Sequence, residues 1–153
     1  MYSFVMNNNF RTNMPPTQLG DILFRYSVTS HIGNWIEGHP RDFGWSACNP
    51  LIPVLVDGKN RGDLPKSLGF YQVDKPNVIL LTLKKAEDGE GIIIRLNETE
   101  GRDTEVNVTL PRITIGKVYA TNLVEENDKL LDVRGQTIKI NIKAFGVKTI
   151  RIL

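Results

Sequence analysis

Residues 70–97 read FYQVDKPNVILLTLKKAEDGEGIIIRLN. Two dense apolar runs stand in this stretch, Val78 to Leu83 and Ile92 to Leu96, joined by a polar connector with an Asp88-Gly89 step. Asp and Gly both tolerate positive φ, which hairpin turns need. The runs are rich in β-branched residues and too short for ordinary helices, so two antiparallel strands are predicted. Pro76 has no N–H to give a ladder and suits a strand entrance. Strict alternation puts Val78, Leu80 and Thr82 on one face and Ile79, Leu81 and Leu83 on the other. In the second strand Ile92 and Ile94 oppose Ile93, with Arg95 on the side of Ile93. Both faces of the hairpin are therefore apolar, which is the pattern of a sheet covered on both sides. One small sandwich supplies only one cover, so something outside it is expected over the second face.

Downstream the pattern becomes simple. Val106, Val108 and Leu110 alternate with Glu105, Asn107 and Thr109, and Ile138, Ile140 and Ile142 alternate with Lys139, Asn141 and Lys143. Lys117 to Leu123 and Val147 to Leu153 supply two more apolar segments. Short strands at regular spacing predict an antiparallel sandwich over 70–153. Helical signal is nearly absent; Val124 to Val133 could make a single turn.

Upstream the chain is less self-sufficient. Tyr2 to Met6 could be one strand, and Asp21 to Thr29 alternates clearly, with Ile22, Phe24, Tyr26 and Val28 on one face. Leu51 to Val56 is interrupted by Pro53, which demotes it to an edge or an extended segment. Loop makes up the rest, including a long stretch from His31 to Asn49, a length uncommon in compact domains unless the loop is functional or packed on something else. Residues 58–69, rich in glycine, proline and alternating charge, read as a linker between a first part, 1–57, and the sandwich at 70–153.

Composition fits one modest globular unit or two small ones. The chain has 153 residues, 41% hydrophobic, with 19 basic and 17 acidic side chains. That near balance, without a Lys/Arg block, argues against nucleic acid. No run of 18 apolar residues occurs, and the N-terminus lacks a charged segment followed by an apolar one, so neither a membrane span nor a signal peptide is predicted. Cys48 is the single cysteine, which precludes an internal disulfide, fits a reducing, cytoplasmic setting and is expected to be a small buried hydrophobe.

The segment from Val73 to Gly89 resembles one found in glycoside hydrolase family 38, the α-mannosidases. There a "DxPNVxLxxLKxAEDG" pattern in a small terminal β-sandwich precedes a short hydrophobic-Arg-Leu strand, and Ile94-Arg95-Leu96 is similar to that sequel. The upstream part agrees: Asn7 to Asn13 resembles an "NNxWxTN" element, Gly20 to Ser27 a Gly turn and "FRYS" strand, and Asn49-Pro50-Leu51 the exit from a larger sandwich. Phe10 stands where the family usually has Trp. The resemblance implies an all-β chain in which 1–57 contributes the terminal strands of a larger, mutarotase-like β-sandwich, and 70–153 forms the small C-terminal one. It further implies a non-catalytic portion of an α-mannoside hydrolase, whose partner is the rest of the parent polypeptide, catalytic barrel and large sandwich. Any mannose-containing glycan, and the zinc or other divalent metal of the family, would be held through that parent.

A retaining glycosidase needs two carboxyl groups about 5 Å apart, and no barrel or metal motif supplies them here. Glu87, Asp88 and Glu90 cluster on a turn, where acidic residues are routinely solvated, so no catalytic residue is assigned. His31 and His39 flank a loop leading to Cys48, but their spacing fits no zinc pattern and they are read as surface or capping residues. Asn97-Glu98-Thr99 and Asn107-Val108-Thr109 match the glycosylation triplet and are read as accidental. Four residues are candidates for sugar contact: Arg11 and Asn13 as polar groups near the parent's active-site rim, and Trp35 and Trp45 as rings able to stack on a sugar. For the loop aromatics, Phe43 among them, packing beneath the long loop is the favoured reading. An autonomous carbohydrate-binding or adhesive module built on that loop is the alternative to a fragment of a mannosidase. A first part severed from its sheet is expected to self-associate.

Overall fold

The computed structural model describes residues 2–6, 19–58 and 62–153. The chain divides into two units, Met1–Leu55 and Val56–Leu153.

The described residues of the second unit form a β-sandwich of nine antiparallel strands. A four-stranded sheet runs in the order β1 (Gln72–Val73), β4 (Thr104–Thr109), β8 (Thr137–Ile142), β7 (Val133–Arg134). A five-stranded sheet runs β2 (Val78–Lys85), β3 (Ile92–Glu98), β9 (Val147–Ile152), β5 (Val118–Thr121), β6 (Asn127–Leu131). Alternation in β4 and β8 sends Val106, Val108, Ile138, Ile140 and Ile142 inward, and they meet Ile94, Leu96, Val118, Ile150 and Ile152 from the opposite sheet. The core is densely apolar: Ile94, Leu96, Val106, Val108 and Ile150 have no exposed surface. Burying each such side chain is worth roughly 1.5–3 kcal/mol. The segment expected to make at most a helical turn, Val124 to Val133, instead contains β6, and the chain passes from one sheet to the other between Leu131 and Val133.

The opening hairpin forms with one correction. Leu80 pairs with Leu96, but Thr82 pairs with Arg95 and Leu83 with Ile94, so the register shifts at Leu81. This β-bulge inverts the alternation, and Thr82 and Leu83 exchange the faces expected of them. The second apolar face has a cover of its own at Ile93. Ile93 is fully buried and lies in register between Lys84 and Arg151. Leu83, brought by the bulge opposite Ile94, is 47% exposed.

The first unit departs further from expectation. Asp21 to Thr29 forms no ladder among the described residues, and neither do Tyr2 to Met6 or Leu51 to Val56. An alternating pattern makes a strand only when a neighbour completes its hydrogen bonds, and here Leu23, Tyr26 and Val28 stand exposed. Ser3 Oγ and Tyr26 OH are hydrogen-bonded at 2.8 Å between the two extended segments. Within the long loop lies a helix that the sequence reading missed, α1 (Pro40–Cys48). Pro40 sits at its start, where the absent N–H costs nothing, and the Asn49 N–H closes it on Trp45 O at 3.0 Å. None of its residues is buried.

Candidate functional site

The motif residues of the hairpin build two polar constellations in the second unit. The first is centred on Glu98, at the end of β3, which is completely buried. Its Oε1 accepts from Asn77 Nδ2 at 2.7 Å and from the Glu100 N–H at 2.9 Å. Its Oε2 accepts from the N–H groups of Gly101, Arg102 and Phe145 at 2.9, 3.2 and 2.8 Å. Asn77, itself buried, also donates to Thr104 Oγ1, and its carbonyl accepts from Thr99. The Pro-Asn step before β2 thus places an amide where it fixes a buried carboxylate. Burial is the largest influence on that carboxyl and pushes its pKa up, but the donors from Asn77, Phe145, Glu100 and Gly101 together outweigh it and hold the group at about 2. Five donors occupy roughly four lone-pair sites. Such a carboxylate has no electron pair left for a nucleophilic role, and its low pKa is opposite to that of a general acid.

The second constellation is a latch on the outer side of the five-stranded sheet, formed by the Ala86-Glu87-Asp88-Gly89 turn. Asp88 Oδ2 accepts from Arg151 Nη1 at 2.6 Å, and Arg151 Nη2 donates to Glu125 O at 2.8 Å. Glu125, buried and at φ 69, pairs through Oε1 with Lys84 Nζ at 2.7 Å and accepts through Oε2 from the Glu87 N–H. Lys84 also pairs with Glu87. These bonds draw the 86–91 and 122–126 turns together beside buried Ile93. The Glu90 N–H first, then Arg151, hold the Asp88 carboxyl below its ordinary pKa, and Glu125 together with Glu87 raise that of Lys84. The three carboxylates expected to be merely solvated thus divide into two that are engaged, Glu87 and Asp88, and Glu90, whose side chain has no such bond among the described residues.

Neither constellation includes a residue named from sequence for sugar contact. Arg11 and Asn13 lie outside the described residues. Trp35 lies in the turn before α1 and Trp45 within α1; they are 52% and 39% exposed, with Phe43 similar, rather than packed beneath the loop as favoured. Cys48, expected to be buried, is exposed, because its helix has no core to face. His31 lies against Gly38, and His39 precedes the helix at φ 47. Among the described residues no three His, Cys, Asp or Glu side chains come together to hold a metal. In both Asn-x-Thr triplets the amide nitrogen is already engaged: Asn97 Nδ2 donates to Gly146 O at 3.0 Å and Asn107 Nδ2 to Asp74 Oδ2 at 2.8 Å. No described helix is long and apolar enough to cross a membrane.

Comparison with known proteins converges on the hairpin and its sandwich. Residues 77–150 match the family model described as glycosyl hydrolases family 38 C-terminal beta sandwich domain. Alpha-mannosidase G of Dictyostelium discoideum is 28% identical over 139 residues, which cover 88% of this chain and 13% of that protein. The chain therefore spans about an eighth of the length of this relative. Asn77 at the start of the matched region and Ile150 at its end bracket the buried carboxylate, the latch apart from Arg151, and most of the core, and this part of the chain belongs to the C-terminal β-sandwich region of glycoside hydrolase family 38.

Proposed function

We propose that this chain is the C-terminal, non-catalytic portion of an α-mannosidase-like glycoside hydrolase, in which it supports the catalytic barrel and borders its active-site rim. One observation carries the reading. The 139 residues aligned with Alpha-mannosidase G exceed the Val56–Leu153 unit, so the likeness reaches beyond the family 38 sandwich into the first unit. Both units then belong to one larger protein, and the exposed apolar side chains of Asp21 to Val28 are surfaces that the rest of that protein covers. In this reading the divalent metal and the pair of catalytic carboxylates reside in the barrel, and mannose-containing substrate is met there. A cytoplasmic setting is part of the proposal and rests on the lone exposed thiol of Cys48. The exposed rings of Trp35 and Trp45 support a secondary reading, in which the first unit touches glycan directly.

An aryl α-mannoside assay on the pure chain, with and without added zinc or cobalt, tests the main reading. The expected result is no turnover above buffer. Turnover that is lost on substituting a carboxylate of this chain overturns it.

A further inference from the structure

The outer face of the four-stranded sheet carries a recess of about 380 Å³ that neither constellation uses. Outward side chains of β4 and β8, Glu105, Asn107, Lys139 and Asn141, line it along with the segment that crosses between the sheets, including Leu130, Asp132 and Arg134. A neighbouring recess of about 330 Å³ shares Glu105 and Asn141 and continues to Asp103 and Lys143. The two make a trough across β4 and β8 rather than a point site, and each falls within the usual range of ligand pockets, roughly 300–1,000 Å³.

The lining selects among ligands. Cations at Lys129, Arg134 and Lys139 are offset by Glu105 and Asp132, and no aromatic ring lines either recess, which disfavours nucleic acid. A peptide adding as a strand needs an open edge, and β4 and β8 are paired on both sides. A small anion would meet two carboxylates. Vicinal hydroxyls, which both donate and accept, match the mixture of amide, guanidinium and carboxylate groups. The side chains of Asp132, Arg134 and Asn141 have no hydrogen-bond or ion-pair partner among the described residues. The floor, by contrast, is fixed: Glu105 pairs with Lys139 at 2.7 Å and Asn107 bonds Asp74 at 2.8 Å. Leu130, exposed at the wall, offers an apolar patch to the C–H face of a sugar ring.

We propose that this trough is a binding site for a neutral mannose-containing oligosaccharide. The sugar class rests on the mannosidase reading above; the polyhydroxyl chemistry rests on the trough. The test is a titration of the isotopically labelled full chain with a linear α-mannotriose, read by amide chemical shifts, beside cellotriose as a comparator. Saturable shifts confined to β4, β8 and residues 129–134 are expected, with a Kd on the order of 1 mM. Arg134→Ala and Asn141→Ala should each weaken binding about fivefold while leaving the melting temperature unchanged, since both side chains are exposed. Absence of shifts at multi-millimolar mannotriose overturns the proposal, as do shifts confined to Trp35 and Trp45. Equal binding of cellotriose overturns the mannose assignment. Because the titration reads binding and the aryl mannoside assay reads turnover, the two readings fail separately.

Discussion

At the scale of single residues, Glu98 is the most consequential position. Its carboxyl sits at about 2 when folded, against an ordinary value of 4.5. A depressed folded pKa gives stability that is fully present above the ordinary value and is lost as pH falls toward the folded one. Acid unfolding of the second unit should therefore show a limb between those two values, followed by circular dichroism. Glu98→Gln replaces acceptor lone pairs with an N–H₂ facing backbone donors. It should cost about 2–4 kcal/mol at neutral pH and flatten the acid limb, both measurable in denaturant titrations across pH. An unchanged acid limb in the variant would remove Glu98 from this role. The importance of Glu98 was not legible in the sequence. Its donors come from Asn77, residues 100–102 and Phe145, as far as 47 positions from Glu98, and only folding assembles them. Asn77 stands out in the sequence only through the Pro-Asn pattern of the resemblance, which gives no physical reason for it.

At the scale of elements, the turn between β2 and β3 separates two glycines that the sequence treats alike. Gly89 and Gly91 both have φ 85, yet a Cβ at Gly89 meets nothing closer than Lys85 Nζ at 3.7 Å, whereas one at Gly91 would fall 2.2 Å from Ile152 O. Gly89→Ala should therefore cost about 1 kcal/mol from backbone strain alone. Gly91→Ala should cost about 3 kcal/mol or more, because β9 must also give way. Equal melting of the two variants would refute that distinction. In the latch, Arg151→Ala should cost about 2–3 kcal/mol through lost packing beside Ile93 and unpaired carbonyl and carboxylate groups. Asp88→Ala, at a half-exposed partner, should change the melting temperature little. Strands β4 and β8 were legible because one-sided burial writes itself as alternation. The bulge at Leu81 was not, since an extra residue inside an unbroken apolar run leaves no mark. Helix α1 escaped because a nine-residue segment with no buried face carries no apolar stripe.

At the scale of the whole molecule the two units differ in what they can do alone. Val56–Leu153 contains a closed core, whereas in the first unit Leu23, Tyr26, Val28, Leu51, Ile52 and Leu55 are exposed. Each such side chain forgoes roughly 1.5–3 kcal/mol while it stays in water, which favours association of the full chain with itself when no larger partner is present. Light scattering over a concentration series should show the full chain as an oligomer and a chain beginning at Val56 closer to a monomer. A full-length chain that stays monomeric and melts in a single cooperative step would give the first part a core of its own.

The place of β9 in the order β2-β3-β9-β5-β6 has a consequence for biosynthesis. β9 is the last strand along the chain, yet it lies at the centre of its sheet and bonds to both β3 and β5. A polypeptide leaving the ribosome N-terminus first can form the β2–β3 hairpin early, but β3 and β5 cannot be joined until Val147–Ile152 has cleared the exit tunnel. Until then Ile93 and Ile94 wait on an open edge, where a chaperone or a neighbouring nascent chain competes for them. A stop codon a few residues before Val147 would leave β3 and β5 without the strand between them.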